Sequence, residues 1–379
     1  MLASVASMIE QFNMSNINIL QELGYEVHVA CNFEFGNTSS EENIKNLKKK
    51  LKNLGIKIIQ IPIPRKITDI KGIFKSYNMV KGLINKYHYK IVHCQSPIGG
   101  VITRLSCKEA RKKGTRVIYA VHGFHFYKNA PVKNWALFYP IEKYCAKYTD
   151  CLITINHEDY KFAKKKLSSI EKIEYIPGVG INTDLIKNIV INKEKKKKEI
   201  GILPETTILL LVGELIKRKN HETAIRAFAN ANMDNTILLL CGQGPLEKRL
   251  KNLVDSQNIT DKVVFMGYRN DIDEILSIAD IFVFPSFQEG LPVSVIEAMA
   301  AGLPVICSDI RGNNDLITEG KGGYLFKPTD MNGFQTTMIE LVNNMELRKN
   351  MGNFNKENVK RYDIKNVNVF MKAIYEQYY

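Results

Sequence analysis

Glu289 and Glu297 are separated by seven residues within PSFQEGLPVSVIEAMAAGLPV, residues 285–305. A strand pattern ends at Ser286, and the apolar spacing that follows is helical. The stretch FQEGLP is then a strand-to-helix turn at the carboxyl edge of a sheet, where open α/β folds bind ligands. Gly290 permits close backbone approach, and Pro292 suits the first helical position, where its missing N–H costs nothing. Free amides around Leu291, Val293 and Ser294 then point out of the helix end and favour an anion such as a diphosphate. Glu297 lies further along the helix, roughly 7 Å beyond Pro292 at about 1.5 Å per residue. That matches the span from a diphosphate to a ribose, whose vicinal diol a carboxylate can hold in bidentate fashion. Glu289, before the helix, faces the other end of the diphosphate. A nucleotide sugar fits this spacing. The local pattern offers neither acid a salt-bridge partner, and spacing alone also fits an exposed Glu289 and an ordinary surface Glu297.

Two series of elements must position these residues. From residue 25 onward, YEVHVAC, KIIQIPI, KIVHCQS, RVIYAVHG, CLITIN and KIEYIPG read as buried parallel strands, with amphipathic stretches between them. In 41–54, Ile44, Leu47, Leu51 and Leu54 recur at helical spacing. The rhythm restarts after PGVGINTD (177–184). TILLLVG, TILLLCG, KVVFMG, IFVFPS and PVICSD then alternate with helices at 220–231, 245–257, 271–279 and 292–301. Two β/α series imply two doubly wound domains facing a cleft, 1–178 and 179–355. The segment 356–379 is expected to be a helix packing back on the first domain. The helix at 8–23 needs a strand before it, and only MLASVAS is available; that strand is very short, or the natural chain begins earlier.

Composition narrows the function. With 379 residues, 45% of them apolar, two ordinary cores can form. No apolar run approaches the ~20 residues of a membrane-spanning helix, and the first residues lack the order of a secretory signal. Seven cysteines, scattered and never spaced C-x-x-C, fit reduced thiols better than disulfides or zinc. The net charge of +14 is carried largely by lysine runs at 48–52 and 193–198, read as solvated helix faces or loops. The same charge suits an anionic membrane surface. Nucleic acid is disfavoured because no aromatics interleave the lysines.

The block FVFPSFQEGLPVSVIEAMAAGLPVICSDIRGNNDLI resembles the E-x7-E signature of family 4 glycosyltransferases, retaining enzymes of the GT-B fold. VGELIKRKNH (212–221) is similar to that family's phosphate-binding strand–loop, and YAVHGFHFYKNAP (119–131) to the His-Gly loop of bacterial capsule and exopolysaccharide members. The likeness covers nearly the whole chain. It implies a GT-B architecture of two Rossmann-like α/β domains. Carried onto this sequence, it implies that Glu297 holds the ribose hydroxyls, Glu289 those of the transferred sugar, and Lys219 the diphosphate beside Gly213. His122 would reach the donor sugar from the first domain. The family has arginine directly after the loop glycine; here Glu214 follows Gly213, leaving Arg218 as the substitute cation.

The activity so implied is transfer of a hexosyl unit from a nucleotide diphosphate sugar, a UDP-sugar, to a lipid-linked saccharide in capsule or exopolysaccharide synthesis. Anomeric configuration is kept, no cofactor or metal is expected, and the protein works in the cytoplasm or peripherally on the inner membrane face. A nucleotide-sugar epimerase or phosphorylase of the same fold, and a basic nucleic-acid-binding protein, are the alternatives. Lesser motifs have plainer readings. Asp271 and Asp273 in DID start a helix, Asp271 as its cap. GQGP (242–245) lacks the rest of a dinucleotide fingerprint and is a turn. His125 is structural or faces the acceptor, and 12–24 either lines an acceptor groove or packs the core.

Overall fold

The computed structural model describes residues 1–36 and 40–379, which divide into two compact units, 1–180 with 365–379, and 181–364. In the first unit the strands are β1 (Leu2–Val5), β2 (His28–Asn32), β3 (Lys57–Gln60), β4 (Ile91–Gln95), β5 (Arg116–Val121), β6 (Cys151–Thr154) and β7 (Lys172–Tyr175). They form one parallel sheet in the order β3-β2-β1-β4-β5-β6-β7. Short β-branched runs suit it because helices on both faces bury both sides of each strand. Strand order reverses between β1 and β4, so the carboxyl ends of those strands border the natural ligand crevice.

The second unit repeats the plan. Its strands are β8 (Thr207–Val212), β9 (Thr236–Cys241), β10 (Val263–Gly267), β11 (Ile281–Phe284), β12 (Val305–Ser308) and β13 (Gly323–Phe326), in the order β10-β9-β8-β11-β12-β13. All pairs are again parallel, and the reversal falls between β8 and β11. Strand β13 escapes the sequence pattern because it opens on glycine. A Cβ on Gly323 would lie 1.8 Å from the Val305 carbonyl oxygen, so tight strand pairing sets the residue type there.

Several expectations need correcting. The helix expected over 8–23 is broken into Ala6–Phe12 and Met14–Glu22 at Asn13, which leaves helical geometry (φ −126°, ψ −8°) and donates from Nδ2 to the Met8 carbonyl at 2.9 Å. The expected C-terminal helix 356–379 is not one element. Met345–Asn358 and the 3₁₀ turn Val359–Tyr362 pack on Val293–Ala301 in the second unit; the chain rejoins the first unit only at Lys365. There the helix Ile364–Glu376 buries Tyr375, whose hydroxyl lies 2.6 Å from Nδ1 of the buried His93. The lysine run at 193–198 is not simply solvated. Lys196 is ion-paired with Asp271 and Glu274, and Lys197 donates to the carbonyls of Pro204 and Thr206. Asp271 stands at the N-cap position of Ile272–Ile278 without capping it, because Arg269 and Lys196 claim its carboxylate. All seven cysteines are free and buried, and no helix among the described residues is long and apolar enough to cross a membrane.

Candidate active site

At the strand reversal of the second unit, two loops meet. One leaves β8 through Gly213 and Glu214 and closes in the 3₁₀ turn Lys217–Lys219. The other leaves β11 through Ser286 to Gly290. Asn220 ties them into one framework: its Nδ2 donates to the carbonyls of Pro285 and Pro328, each at 2.8 Å. The Phe287 amide adds a bond to the Arg218 carbonyl at 2.8 Å. Gly213 leaves room for the stem of Lys219, since a Cβ there would sit 3.3 Å from the lysine Cδ.

Glu289 is buried, which rules out the exposed reading of that residue. It also has the partners the local pattern does not reveal. Lys219 Nζ lies 2.8 Å from one carboxylate oxygen and Arg218 Nη1 2.9 Å from the other. Arg218 donates as well to the Gln288 carbonyl at 2.9 Å, while Lys219 stands over the Phe284 ring. Two cations around one acid leave a net positive charge in a sheltered place, which suits an anion. Glu214 is exposed and adds no cation. Behind the loop, the buried Arg311 donates from Nε to the Glu289 carbonyl at 3.0 Å. Gly312 has φ +84°, and a Cβ there would meet the Gly290 carbonyl oxygen at 2.4 Å. Sequence reading passes over Arg311 and Gly312, whose importance lies only in what they touch.

The helix that follows is Val293–Ala301, with Pro292 at its N-cap rather than its first turn. Proline has no side-chain oxygen to offer, so no side chain caps the end. Leu291 is buried, and Val293 and Ser294 are half-buried at this mouth. On the same helix, Glu297 is half-buried with no hydrogen-bond or ion-pair partner among the described residues. Burial, and then the nearby Asp273, push its carboxyl up to about 7. A sheltered acid left without a partner is poised to accept hydroxyl hydrogens. Among the described residues no three His, Cys, Asp or Glu side chains converge as a metal site.

His122 belongs to the first unit, directly after β5. It is half-buried, packs its ring 5.0 Å from that of Phe12, and has its Nε2 2.9 Å from Oε1 of Gln95 at the end of β4. Burial pushes its proton affinity down to about 4, so the ring is neutral near pH 7. His125 turns its ring onto Phe138, and its carbonyl accepts from Asn134.

Residues 2–156 match the family described as "Glycosyl transferase 4-like", and residues 192–358 match "Glycosyl transferases group 1". EpsD of Bacillus subtilis strain 168, named as a glycosyltransferase, is 35% identical over 99% of this chain and 95% of its own. The chain belongs to family 4 of the GT-B glycosyltransferases. An Escherichia coli member, "UDP-Gal:alpha-D-GlcNAc-diphosphoundecaprenol alpha-1,3-galactosyltransferase", is 31% identical over 74% of this chain and 72% of that one. Among solved structures, Anabaena HepE in complex with UDP and glucose superimposes with a TM-score of 0.79, covering 99% of this chain and 98% of that one at 15% identity. Sucrose-phosphate synthase from Thermosynechococcus elongatus gives the same TM-score and coverage at 19% identity. At such identities the likeness speaks for the fold, and that fold is shared end to end by this glycosyltransferase.

Proposed function

We propose that this glycosyltransferase moves a hexosyl unit from a nucleotide diphosphate sugar, a UDP-sugar, to a lipid-linked saccharide, keeping the anomeric configuration. The observation that carries the reading is Glu297: a sheltered carboxyl with no hydrogen-bond or ion-pair partner among the described residues, one turn inside a helix whose mouth no side chain caps. Its oxygens take the ribose hydroxyls, and the amides at Leu291, Val293 and Ser294, beside Gly290, take the diphosphate. Lys219 and Arg218 then exchange Glu289 for diphosphate oxygens, which frees the Glu289 carboxylate for hydroxyls of the transferred sugar. In the step itself the bond from the anomeric carbon to the diphosphate oxygen breaks. A bond to the acceptor oxygen forms on the same face, and the acceptor's proton passes to a diphosphate oxygen. The leaving charge is met by cations and amides already in place. A UDP donor is supported by the UDP held in the HepE complex, and a lipid-linked acceptor by the diphosphoundecaprenol in the Escherichia coli relative's name.

Attachment to an anionic bilayer belongs to the same proposal. In the first unit the helix Val132–Ala146 exposes Val132, Leu137, Ile141 and Tyr144 among Lys133, Lys143 and Lys147. Its one acid, Glu142, is buried in a two-bond ion pair with Arg104. An exposed face that mixes apolar side chains with lysines and shows no acid fits the interface of a negative leaflet.

Replacement of Glu297 by alanine tests the central reading. Donor binding, followed by thermal shift across UDP- and GDP-sugars, and transfer of labelled sugar should both vanish. Turnover near that of the wild type in Glu297→Ala would overturn it. Sedimentation with anionic vesicles tests the attachment: binding at low salt and release at high salt are expected, and failure to bind at low salt removes it.

A further inference from the structure

The carboxyl ends of β1, β4 and β5 bring together three side chains that form a directional chain of hydrogen bonds. It starts at the Met8 carbonyl, which can only accept, and so fixes Asn13 Nδ2 as the donor across 2.9 Å. Asn13 Oδ1 is thereby turned toward Gln95 and accepts from its Nε2; Asn16 Nδ2 approaches the same oxygen at 3.4 Å. With its amide nitrogen spent, Gln95 presents Oε1 to His122 Nε2 at 2.9 Å. An amide oxygen cannot donate. His122 Nε2 must therefore carry the proton, and in the neutral ring Nδ1 is left as a bare lone pair. No protein group among the described residues bonds to Nδ1. Asn13, Asn16 and Gln95 are all buried, so water does not blur the chain's direction.

We infer that Asn13 and Gln95 are positioning residues that hold His122 in its Nε2–H form, so that its Nδ1 accepts a hydrogen bond from a substrate hydroxyl and cannot donate one. This deepens the proposed transfer reaction and rests on the reading that His122 touches substrate. The break in the helix at Asn13 then has a purpose: it aims a side chain at the end of β4 rather than letting the helix run on. The direction of the chain also decides specificity. A bare nitrogen favours a hydroxyl at the contacted carbon and repels a carbonyl or ether oxygen, because two acceptors would face each other. The titratable group that senses the His122 charge is His93, which burial holds neutral by pushing its proton affinity down to about 3; Phe12, Gln95 and Asn13 carry no charge.

The test uses the full chain with ¹⁵N-labelled histidine. Long-range proton–nitrogen spectra, with the His122 signals assigned by their loss in His122→Asn, should show a protonated Nε2 and an unprotonated Nδ1. A protonated Nδ1 overturns the inference. In Gln95→Leu the turnover number should fall on the order of tenfold to a hundredfold with the donor KM nearly unchanged, as a reacting group loses its aim. Gln95→Glu keeps an oxygen for Nε2–H but sets its other oxygen against Asn13 Oδ1, so at high pH it should recover part of the turnover lost in Gln95→Leu. Its added negative charge raises the histidine's proton affinity, so turnover should fall on acidification as Nδ1 gains a proton. Unchanged turnover in Gln95→Leu, alongside an inactive His122→Asn, overturns the positioning role alone. Full activity in His122→Asn instead overturns the reading of His122 on which it rests.

Discussion

Donor affinity should depend on pH through Glu297, and the dependence can be worked out from the site. The carboxyl is pushed up to about 7, first by burial and then by Asp273. Ribose hydroxyls donate to the ionised form, so binding draws on the ionised fraction. With a midpoint near 7, that fraction is roughly 90% at pH 8 and roughly 10% at pH 6, so the donor dissociation constant should weaken about tenfold between them. Stability should move the other way. The folded state raises this group's proton affinity above the ordinary glutamate value, so its contribution to stability is present at low pH and is lost as pH rises through about 7. The unliganded protein therefore loses Tm from this group between pH 5 and 8 while the shift induced by donor grows. Calorimetric titration with a UDP-sugar at pH 6, 7 and 8, on wild type and Glu297→Gln, separates this from other ionisations. Asp273→Asn should move the midpoint downward, because it removes the second cause. Equal donor affinity at pH 6 and 8 in the wild type, or an undiminished slope in Glu297→Gln, refutes the reasoning.

Lys219→Ala should lower turnover by about 10²–10³, comparable to losing one preorganised donor to a developing charge. It should also lower Tm, and adding Glu289→Ala should recover part of the Tm but none of the turnover. Gly312→Ala must place a Cβ where the Gly290 carbonyl oxygen already sits, at a sparsely populated backbone conformation that costs on the order of 1–3 kcal/mol outside glycine. It should weaken donor binding, measured by titration, beyond what its fall in Tm accounts for. Tyr375→Phe leaves His93 Nδ1 buried without its hydroxyl partner and should cost about 1–3 kcal/mol in denaturant unfolding of the first unit.

Most of the architecture was legible because it rests on local pattern. Apolar runs of strand length alternating with amphipathic helices give two parallel sheets, and a glutamate pair astride a helix start marks the carboxyl edge of the second. The elements that escaped are set by contacts. Strand β13 begins with Gly323, chosen by crowding against Val305 rather than by strand propensity. The C-terminal segment divides at Lys365 because its earlier part packs on the second unit and its last helix belongs to the first. The two acids could be singled out from spacing, but their states could not. Glu289 is neutralised by residues some seventy positions away in sequence, and Glu297 titrates high because of what surrounds it. Asn13 and Gln95 carry no motif at all. Their role is a matter of hydrogen-bond direction, which only coordinates reveal.

The first unit is built from two separated pieces of chain, and this bears on how it is made. Residues 1–180 leave the ribosome early, yet the segment that covers His93 arrives only after the 184 residues of 181–364 have been added. At typical rates of about 5–20 residues per second the wait is on the order of ten to forty seconds. Throughout that interval, while the second unit is itself being made, the earlier sheet lacks its final covering. A nascent chain halted before Lys365 would thus display a first half without its closing helix, and that open half is where a holding chaperone would bind.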